Sequence, residues 1–216
     1  MNKHDLKKEI AKLVMQELKT SGLLINEYNK VPVSVSARHL HLCKEDLEAL
    51  FGKGYELTVE KEISQPGQYA AKEKVTLITD KGKIENIRVL GPLRNKTQIE
   101  LTKSEARTLG LNLEVRNSGD LANTSGVTIK GPKGSIELRE GVIIADRHIH
   151  MTPEDAENYG VKNGQKVSVV VNGKKGGVLS NVTIRVNPRY KLDFHIDTDD
   201  ANAFLIQNGD LLELVK

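Results

Sequence analysis

The sequence RHLHL at residues 38–42 recurs as RHIHM at residues 147–151, and each copy is followed by an acidic pair, at 45–46 and at 154–155. A weaker echo agrees with this repeat, because DKGKIE at residues 80–85 resembles PKGSIE at residues 132–137. A repeat separated by a constant offset predicts two similar structural modules. The fold is therefore expected to be a duplicated one.

The residues around both copies have the pattern of short β-strands. Four runs alternate or concentrate β-branched residues, at 31–35, 74–78, 84–90 and 167–171. Turn signals that contain glycine separate such runs, at 52–54, 80–82, 131–134 and 172–173. The closely spaced turns predict a mainly β fold with a few short helices, consisting of two similar β-barrel domains related by the internal repeat.

Helical patterns are confined to four segments. Residues 1–23 are predicted to contain an amphipathic helix, because Leu6, Ile10, Leu13, Val14 and Leu18 recur at helical spacing. Two interpretations stay open, a helix packed on its own domain and a detachable targeting or docking helix. Three short helices are predicted in the body of the chain, at Lys44–Phe51, Lys103–Thr108 and Pro153–Tyr159.

Composition and charge narrow the class of protein. The 216 residues carry 32 basic and 29 acidic side chains, a balance that lacks the concentrated basic footprint of a nucleic-acid-binding protein. The single cysteine, Cys43, excludes an internal disulfide framework. No apolar run long enough to cross a bilayer and no secretory signal are found in the sequence. We therefore expect a cytoplasmic protein with no nucleic-acid or membrane partner.

The histidines are the candidate chemical groups. Side chains at i and i+2 of a strand point to the same face, so His39 with His41, and His148 with His150, can each offer two imidazoles to one point. A single His-x-His is usually an exposed strand, whereas two copies together with His195 favour a metal site. Imidazole with carboxylate suits zinc, although copper, nickel and iron also accept imidazole. Five histidines and one carboxylate would serve two ions.

From Val31 to its C-terminus the chain resembles the PduL-type phosphate acyltransferases, also called phosphate propanoyltransferases of bacterial microcompartments. The resemblance rests on six ordered motifs, which are VSARHLHL at 35–42, SQPGQ at 64–68, VLGPLR at 89–94, SGDL at 118–121, RHIHMTPED at 147–155 and HIDTD at 195–199. It implies reversible transfer of a short acyl group, propanoyl or acetyl, between coenzyme A and inorganic phosphate. The products of one direction are acyl phosphate and free coenzyme A.

The same resemblance implies roles for individual residues. Two zinc ions would be held by His39, His41, Glu100, His148, His150 and His195. Arg94 would bind phosphate and act as the catalytic arginine. Coenzyme A would contact Ser36, Ala37, Arg38, Lys61, Arg88 and Asn202. The implied layout is one discontinuous barrel domain, 24–37 with 146–216, around a second barrel domain, 38–145.

Several alternatives stay open from the residues alone. Arg94 would more often be a surface cation and Glu100 a solvated strand acid. Cys43 is rejected as a nucleophile because its counterpart in the second repeat is Thr152 and nothing nearby marks an activated thiolate. A binuclear zinc thioesterase or hydrolase and a non-enzymatic, shell-associated metal-binding module are the competing functions.

The expected partners are acyl-CoA and phosphate, a microcompartment shell through residues 1–23, and a second copy in a homodimer. The expected location is the cytoplasm, including the interior of a bacterial microcompartment. The acyl chain preference and the direction used in the cell are not specified by the sequence.

Overall fold

The computed structural model describes residues 3–20 and 29–216. The helices are α1 (Lys3–Thr20), α2 (Lys44–Phe51), α3 (Lys103–Thr108), α4 (Pro153–Tyr159) and α5 (Thr198–Phe204). The strands are β1 (Lys30–Ser36), β2 (His39–His41), β3 (Val59–Glu62), β4 (Tyr69–Ile78), β5 (Lys83–Gly91), β6 (Gln98–Glu100), β7 (Val115–Arg116), β8 (Ser125–Lys130), β9 (Ser135–Ala145), β10 (His148–Met151), β11 (Lys166–Val171), β12 (Gly177–Val186), β13 (Asp193–Asp197) and β14 (Leu211–Val215). None of the helices in these residues combines the length and the apolar character needed to cross a membrane.

One set of six strands closes into a barrel, which we call barrel A. Its order is β1-β13-β10-β12-β11-β14, and β14 pairs with β1 to complete the ring. Its core contains the fully buried side chains of Ile149, Val182, Ile184 and Phe194. Closure of the ring leaves no unpaired sheet edge, which is why strands as short as β10 are held in place.

A second ring, barrel B, is built from the intervening residues. Strands β4, β5, β2, β6 and β9 follow one another in the sheet, and β8 closes the ring by pairing with both β9 and β4. The short strands β3 and β7 add to the outside of this ring, at β4 and β9. Leu40, Val89 and Ile99 are fully buried in its core.

The two barrels have the same strand pairings around the repeated motif. In barrel B, β2 pairs with β5 in parallel and with β6 antiparallel. In barrel A, β10 pairs with β12 in parallel and with β13 antiparallel. The prediction of a mainly β fold with two similar barrels related by a repeat is therefore confirmed.

The chain crosses between the barrels twice. Strand β1 belongs to barrel A, and after only Ala37 and Arg38 the chain enters β2 of barrel B. Strand β9 belongs to barrel B, and after Asp146 and Arg147 the chain enters β10 of barrel A. The domain limits 24–37 with 146–216 and 38–145 remain our proposal, which this strand membership supports; residues 24–28 lie outside the described part.

Local sequence patterns predicted three of the four helices within residues 29–216. The observed α2, α3 and α4 have the predicted bounds, and α3 and α4 each begin with a capping box, from Thr102 and Thr152. Helix α5 was not predicted, although Asp197 caps its first turn. It ends at Leu205 in the left-handed conformation, so the glycine that usually marks a helix end is missing.

Helix α1 confirms the helical pattern at the N-terminus and exposes its apolar stripe. Leu6, Ile10, Leu13 and Val14 are 44–60% exposed. Residues 1–2 and 21–23 of the predicted segment lie outside the described residues.

The barrel A core generates a stability prediction. Phe194 is fully buried and pairs with Ile149 on β10, so Phe194→Ala should lower the free energy of unfolding by about 3–5 kcal/mol. Val178→Ala, at an exposed position of β12, is the matched control and should cost less than about 1 kcal/mol. Chemical denaturation of both variants measures the difference, and equal losses would contradict the assignment of Phe194 to the core.

Candidate active site

The repeated motif aims its histidines out of the barrels. Leu40 and Ile149, the middle residues of the two motifs, are fully buried in their own barrels. Because side chains alternate along a strand, the histidines on either side of each project from the outer surface. The outer surfaces of barrels A and B face each other at these strands. The histidines of both copies consequently line one cavity between the barrels.

This cavity has a volume of about 730 Å³ and is lined by residues of both barrels. Its size lies in the range of small-molecule binding sites in proteins. Both crossing segments contribute to its wall, since Ala37 and Asp146 are lining residues. The cavity is therefore built from the same places where the chain passes from one barrel to the other.

The six predicted metal ligands form two groups of three. In His39, His41 and Glu100, and again in His148, His150 and His195, one potential ligand atom from each residue lies within 4.8 Å of the others. Glu100 pairs with His39 in barrel B at the position where His195 pairs with His148 in barrel A. The groups are therefore structural equivalents, one with two imidazoles and a carboxylate and the other with three imidazoles.

Two of the histidines are oriented by main-chain carbonyls. Nδ1 of His39 lies 2.9 Å from the oxygen of Ala37, and Nδ1 of His148 lies 2.8 Å from the oxygen of Asp146. When Nδ1 donates to such an oxygen, the lone pair of Nε2 is left for a metal. The two crossing segments thus orient one histidine in each group.

Other imidazole nitrogens are buried with no hydrogen bond. Nδ1 of His41 and both ring nitrogens of His150 have no partner in the described part of the chain. A buried nitrogen without a partner costs free energy, and a bound metal ion would remove that cost at one nitrogen of each ring. The donor set of imidazole and carboxylate fits divalent zinc. The residues present therefore fit a metal ion in each group.

The pKa values agree with a role as neutral ligands. Burial, together with His39 and Arg94, lowers the pKa of His41 well below its ordinary value. Burial lowers the pKa of His148 to about 4, with a further contribution from His195, and lowers the pKa of His150 to about 2, with a contribution from His148. These rings are neutral at pH 7, the form that binds a metal.

Glu100 is the carboxylate of the first group. Burial by itself raises the pKa of Glu100, but the neighbouring His39 and Arg94 more than offset it and hold the pKa below the ordinary value. Its Oε2 lies 3.4 Å from Nε2 of His39. The ionised carboxylate therefore lies beside the imidazole nitrogen with which it would share an ion.

Arg94 is held by a chain of hydrogen bonds that ends at Glu100. Its Nη1 donates to Oγ of Ser118 over 2.9 Å, and Nε2 of Gln98 donates to the same oxygen over 2.9 Å. Gln98 Nε2 also lies 2.6 Å from Oε1 of Glu100. The main-chain N–H of Gly119 donates to Oε1 of Gln98 and orients its amide. The guanidinium is thus fixed relative to the first ligand group.

The residues predicted to contact coenzyme A are only partly at the cavity. Ser36, Ala37, Arg38, Lys61 and Arg88 line it. Asn202 is exposed on α5 and is not among the lining residues. All six assignments remain predictions.

Two of the lining cations already have partners. Arg38 donates to Glu105 over 3.1 Å, and Arg88 contacts Glu60 and donates to the carbonyl of Ala71 over 2.6 Å. These contacts fix the two arginines at the wall of the cavity. A phosphate-bearing ligand would have to compete with the carboxylates or share the guanidinium with them.

Four site residues were not assigned from the sequence. Arg185 and Tyr190 line the cavity, with the Tyr190 ring stacked on His150 at a centroid distance of 4.0 Å. Buried Asp193 accepts from Oγ of Ser34 over 2.8 Å and lies 3.2 Å from Nε2 of His195. Ser118 lies in a motif that was noticed without a role. Arg185 and Asp193 show no signal in the sequence, because their positions depend on strand pairing.

The rim of the cavity is closed by a contact between the barrels. Gln65, which is 2% exposed, donates from Nε2 to the carbonyl of Lys191 over 3.0 Å and accepts from the N–H of Lys191 over 3.2 Å. Cys43 lies outside the lining, and burial raises the pKa of its thiol. Gln65 therefore bridges the two barrels at the rim, and no activated thiol is among the lining residues.

Comparison with known proteins identifies the family of the chain. A family model described as phosphate propanoyltransferase matches residues 32–207. A phosphate propanoyltransferase of Priestia megaterium is 52% identical over 97% of this chain and 95% of its own length. One from Thermotoga maritima is 50% identical over 94% of this chain and 97% of its own length. The chain therefore belongs to the phosphate propanoyltransferase family and is a phosphate acyltransferase.

Proposed function

We propose that the protein transfers a propanoyl or acetyl group reversibly between coenzyme A and inorganic phosphate at two zinc ions. The observation that carries this proposal is the arrangement of two three-residue ligand groups and Arg94 around one cavity between the barrels. Acyl transfer to phosphate needs a site that strips water from a dianion and orients it, and such a site must be rich in positive charge.

The ions would be held by the two groups already described. His39, His41 and Glu100 would bind one, and His148, His150 and His195 would bind the other. Three protein ligands per ion leave an open position, as expected of a catalytic rather than a structural site. When bound, zinc supplies Lewis acidity and positive charge beside the substrates.

The chain's own residues would bind and orient phosphate. The planar guanidinium of Arg94 presents two N–H groups to two phosphate oxygens, and Ser118 and Gln98 hold it in that orientation. A third phosphate oxygen would attack the thioester carbonyl carbon. The new C–O bond replaces the C–S bond, and coenzyme A leaves as the thiolate, so no acyl-enzyme is required.

A nucleophilic side chain is not needed for this chemistry. The Cys43 thiol is outside the cavity lining, and its raised pKa disfavours the thiolate. Trapping a covalent acyl adduct on any side chain during turnover would contradict direct attack by phosphate.

The competing functions differ in their need for phosphate. A binuclear zinc thioesterase would release coenzyme A from acyl-CoA with or without phosphate, and a metal-binding module would release none. The test measures release of free coenzyme A from acetyl-CoA and propanoyl-CoA, with and without phosphate, on protein of known zinc content. Release that needs both phosphate and zinc supports the proposal, whereas phosphate-independent release overturns it.

We also propose contacts with other chains. The exposed apolar stripe of α1, at Leu6, Ile10, Leu13 and Val14, supports docking of the enzyme to a microcompartment shell. A reporter fused to residues 1–23 should then co-purify with shells, and a reporter that stays free would contradict the docking role. The proposed homodimer is tested by the mass of the protein in solution.

Arg94 generates a kinetic prediction. Arg94→Ala should raise the KM for phosphate by about 10- to 100-fold, because a charge-assisted bidentate contact is lost, while the KM for acyl-CoA changes little. Arg94→Lys should restore only part of the loss, since a lysine lacks the planar fork. Steady-state kinetics with each substrate varied measures both constants. An unchanged KM for phosphate with full turnover would remove Arg94 from the phosphate site.

Metal removal generates a stability prediction. Each proposed ion would bind ligands from two strands of one barrel, at the surface that faces the other barrel. Chelation should therefore lower the melting temperature by about 10 °C and abolish activity. Added zinc should restore both. His150→Ala, which removes one ligand of the second group, should halve the zinc content measured by elemental analysis. A melt that does not change in protein proven to be metal-free would contradict the coupling.

A further inference from the structure

Arg185 is a positively charged residue of barrel A in the wall of the cavity. It is on β12, directly opposite His150 in the parallel pairing of β10 with β12. Its neighbour Ile184 is fully buried in the core of barrel A, so Arg185 projects from the outer surface. It lines the same cavity as Arg94.

The guanidinium of Arg185 has no acidic partner. Within residues 3–20 and 29–216, no carboxylate forms an ion pair with Arg185, and no group forms a hydrogen bond with its side chain. Arg38, Arg88 and Arg147, which also line or flank the cavity, each pair with a glutamate or an aspartate. A half-buried guanidinium without a counter-ion is costly, and an anionic ligand would remove that cost.

Arg185 and Arg94 line the same cavity from opposite barrels. Burial lowers the pKa of Arg94; Glu100 acts against this, and the charge of Arg185 adds to the lowering. Arg185 also contributes to the lowered pKa values of His148 and His150. Two guanidinium groups in one cavity repel each other unless an anion lies between them, and a phosphate dianion has enough oxygens to bind both.

We propose that Arg185 is the second arm of the phosphate site, so that Arg94 of barrel B and Arg185 of barrel A bind the same phosphate group from two sides. This inference rests on the proposed function. The phosphoryl group stays in the cavity when its oxygen bonds to the acyl carbon, so the two arginines bind it in phosphate and in acyl phosphate alike. Binding of the nucleotide part of coenzyme A should not depend on Arg185.

The test compares Arg185→Ala with Arg189→Ala. Arg189 is exposed in the loop after β12 and does not line the cavity, so it controls for the loss of one positive charge from barrel A. Arg185→Ala should raise the KM for phosphate, and the KM for acyl phosphate in the reverse direction, by about 10- to 100-fold. The KM values for acyl-CoA and free coenzyme A should stay within about twofold. Arg189→Ala should behave as the unchanged enzyme.

A binding measurement separates substrate contact from general damage. Titration calorimetry of inorganic phosphate into zinc-loaded protein should show weaker binding for Arg185→Ala, with partial recovery in Arg185→Lys. The Arg94→Ala, Arg185→Ala double variant should lose less affinity than the product of the two single losses, because both arms bind one anion. Arg185→Lys also serves as the test if the alanine variant does not fold.

The outcomes are distinguishable. A change confined to the KM for acyl-CoA would assign Arg185 to coenzyme A and overturn the inference. Phosphate binding equal to that of Arg189→Ala would also overturn it, even with Arg94→Ala impaired and turnover dependent on phosphate. Coenzyme A release without phosphate in the unchanged enzyme would instead be a failure of the proposed function.

Discussion

The alternation of side chains about Leu40 and Ile149 is the constraint on which the site depends. Each of these residues is fully buried in its own barrel, which fixes the register of β2 and β10. A slip of one residue would move two histidines into an apolar core and one leucine or isoleucine out of it. The cost of that exchange holds both pairs of imidazoles at the surface where the barrels meet. This register also places Glu100 opposite His39, His195 opposite His148 and Arg185 opposite His150.

The site gathers groups that an apolar core would not tolerate, and its location explains how the fold accommodates them. Neutral buried imidazoles, the ionised Glu100 and two guanidinium groups share one cavity. The apolar cores of barrels A and B lie on either side and do not contain these groups. Stability and polar chemistry are therefore separated in space. The hydrogen bonds that cross the rim, such as those of Gln65 with Lys191, connect the two halves without using either core.

Some residues of the site and fold have a local signal in the sequence, whereas others depend on strand pairing that the sequence does not reveal. The four motif histidines were identifiable because a repeat and a period of two are visible in one dimension. Helices α3 and α4 begin with capping boxes, whereas α2 has only two acidic residues in its first turn and no capping hydrogen bond from Cys43. Glu100 had no such signal, since β6 is only three residues long, and it entered through family resemblance. Arg185 was missed because β12 was not predicted and because its relevance depends on a pairing with β10. Helix α5 was missed because Leu205, not glycine, ends it.

The two short crossings mean that each repeat completes the other's barrel. Strand β1 begins the first repeat but closes barrel A, and β9 begins the second repeat but closes barrel B. This is a strand exchange within one chain, comparable to domain swapping between two copies. A cut in the turn at 131–134 would yield two fragments, neither of which contains a complete barrel or a complete cavity. Both halves of the active site therefore form only when the whole chain is present, because neither repeat can fold as a closed barrel without a strand from the other.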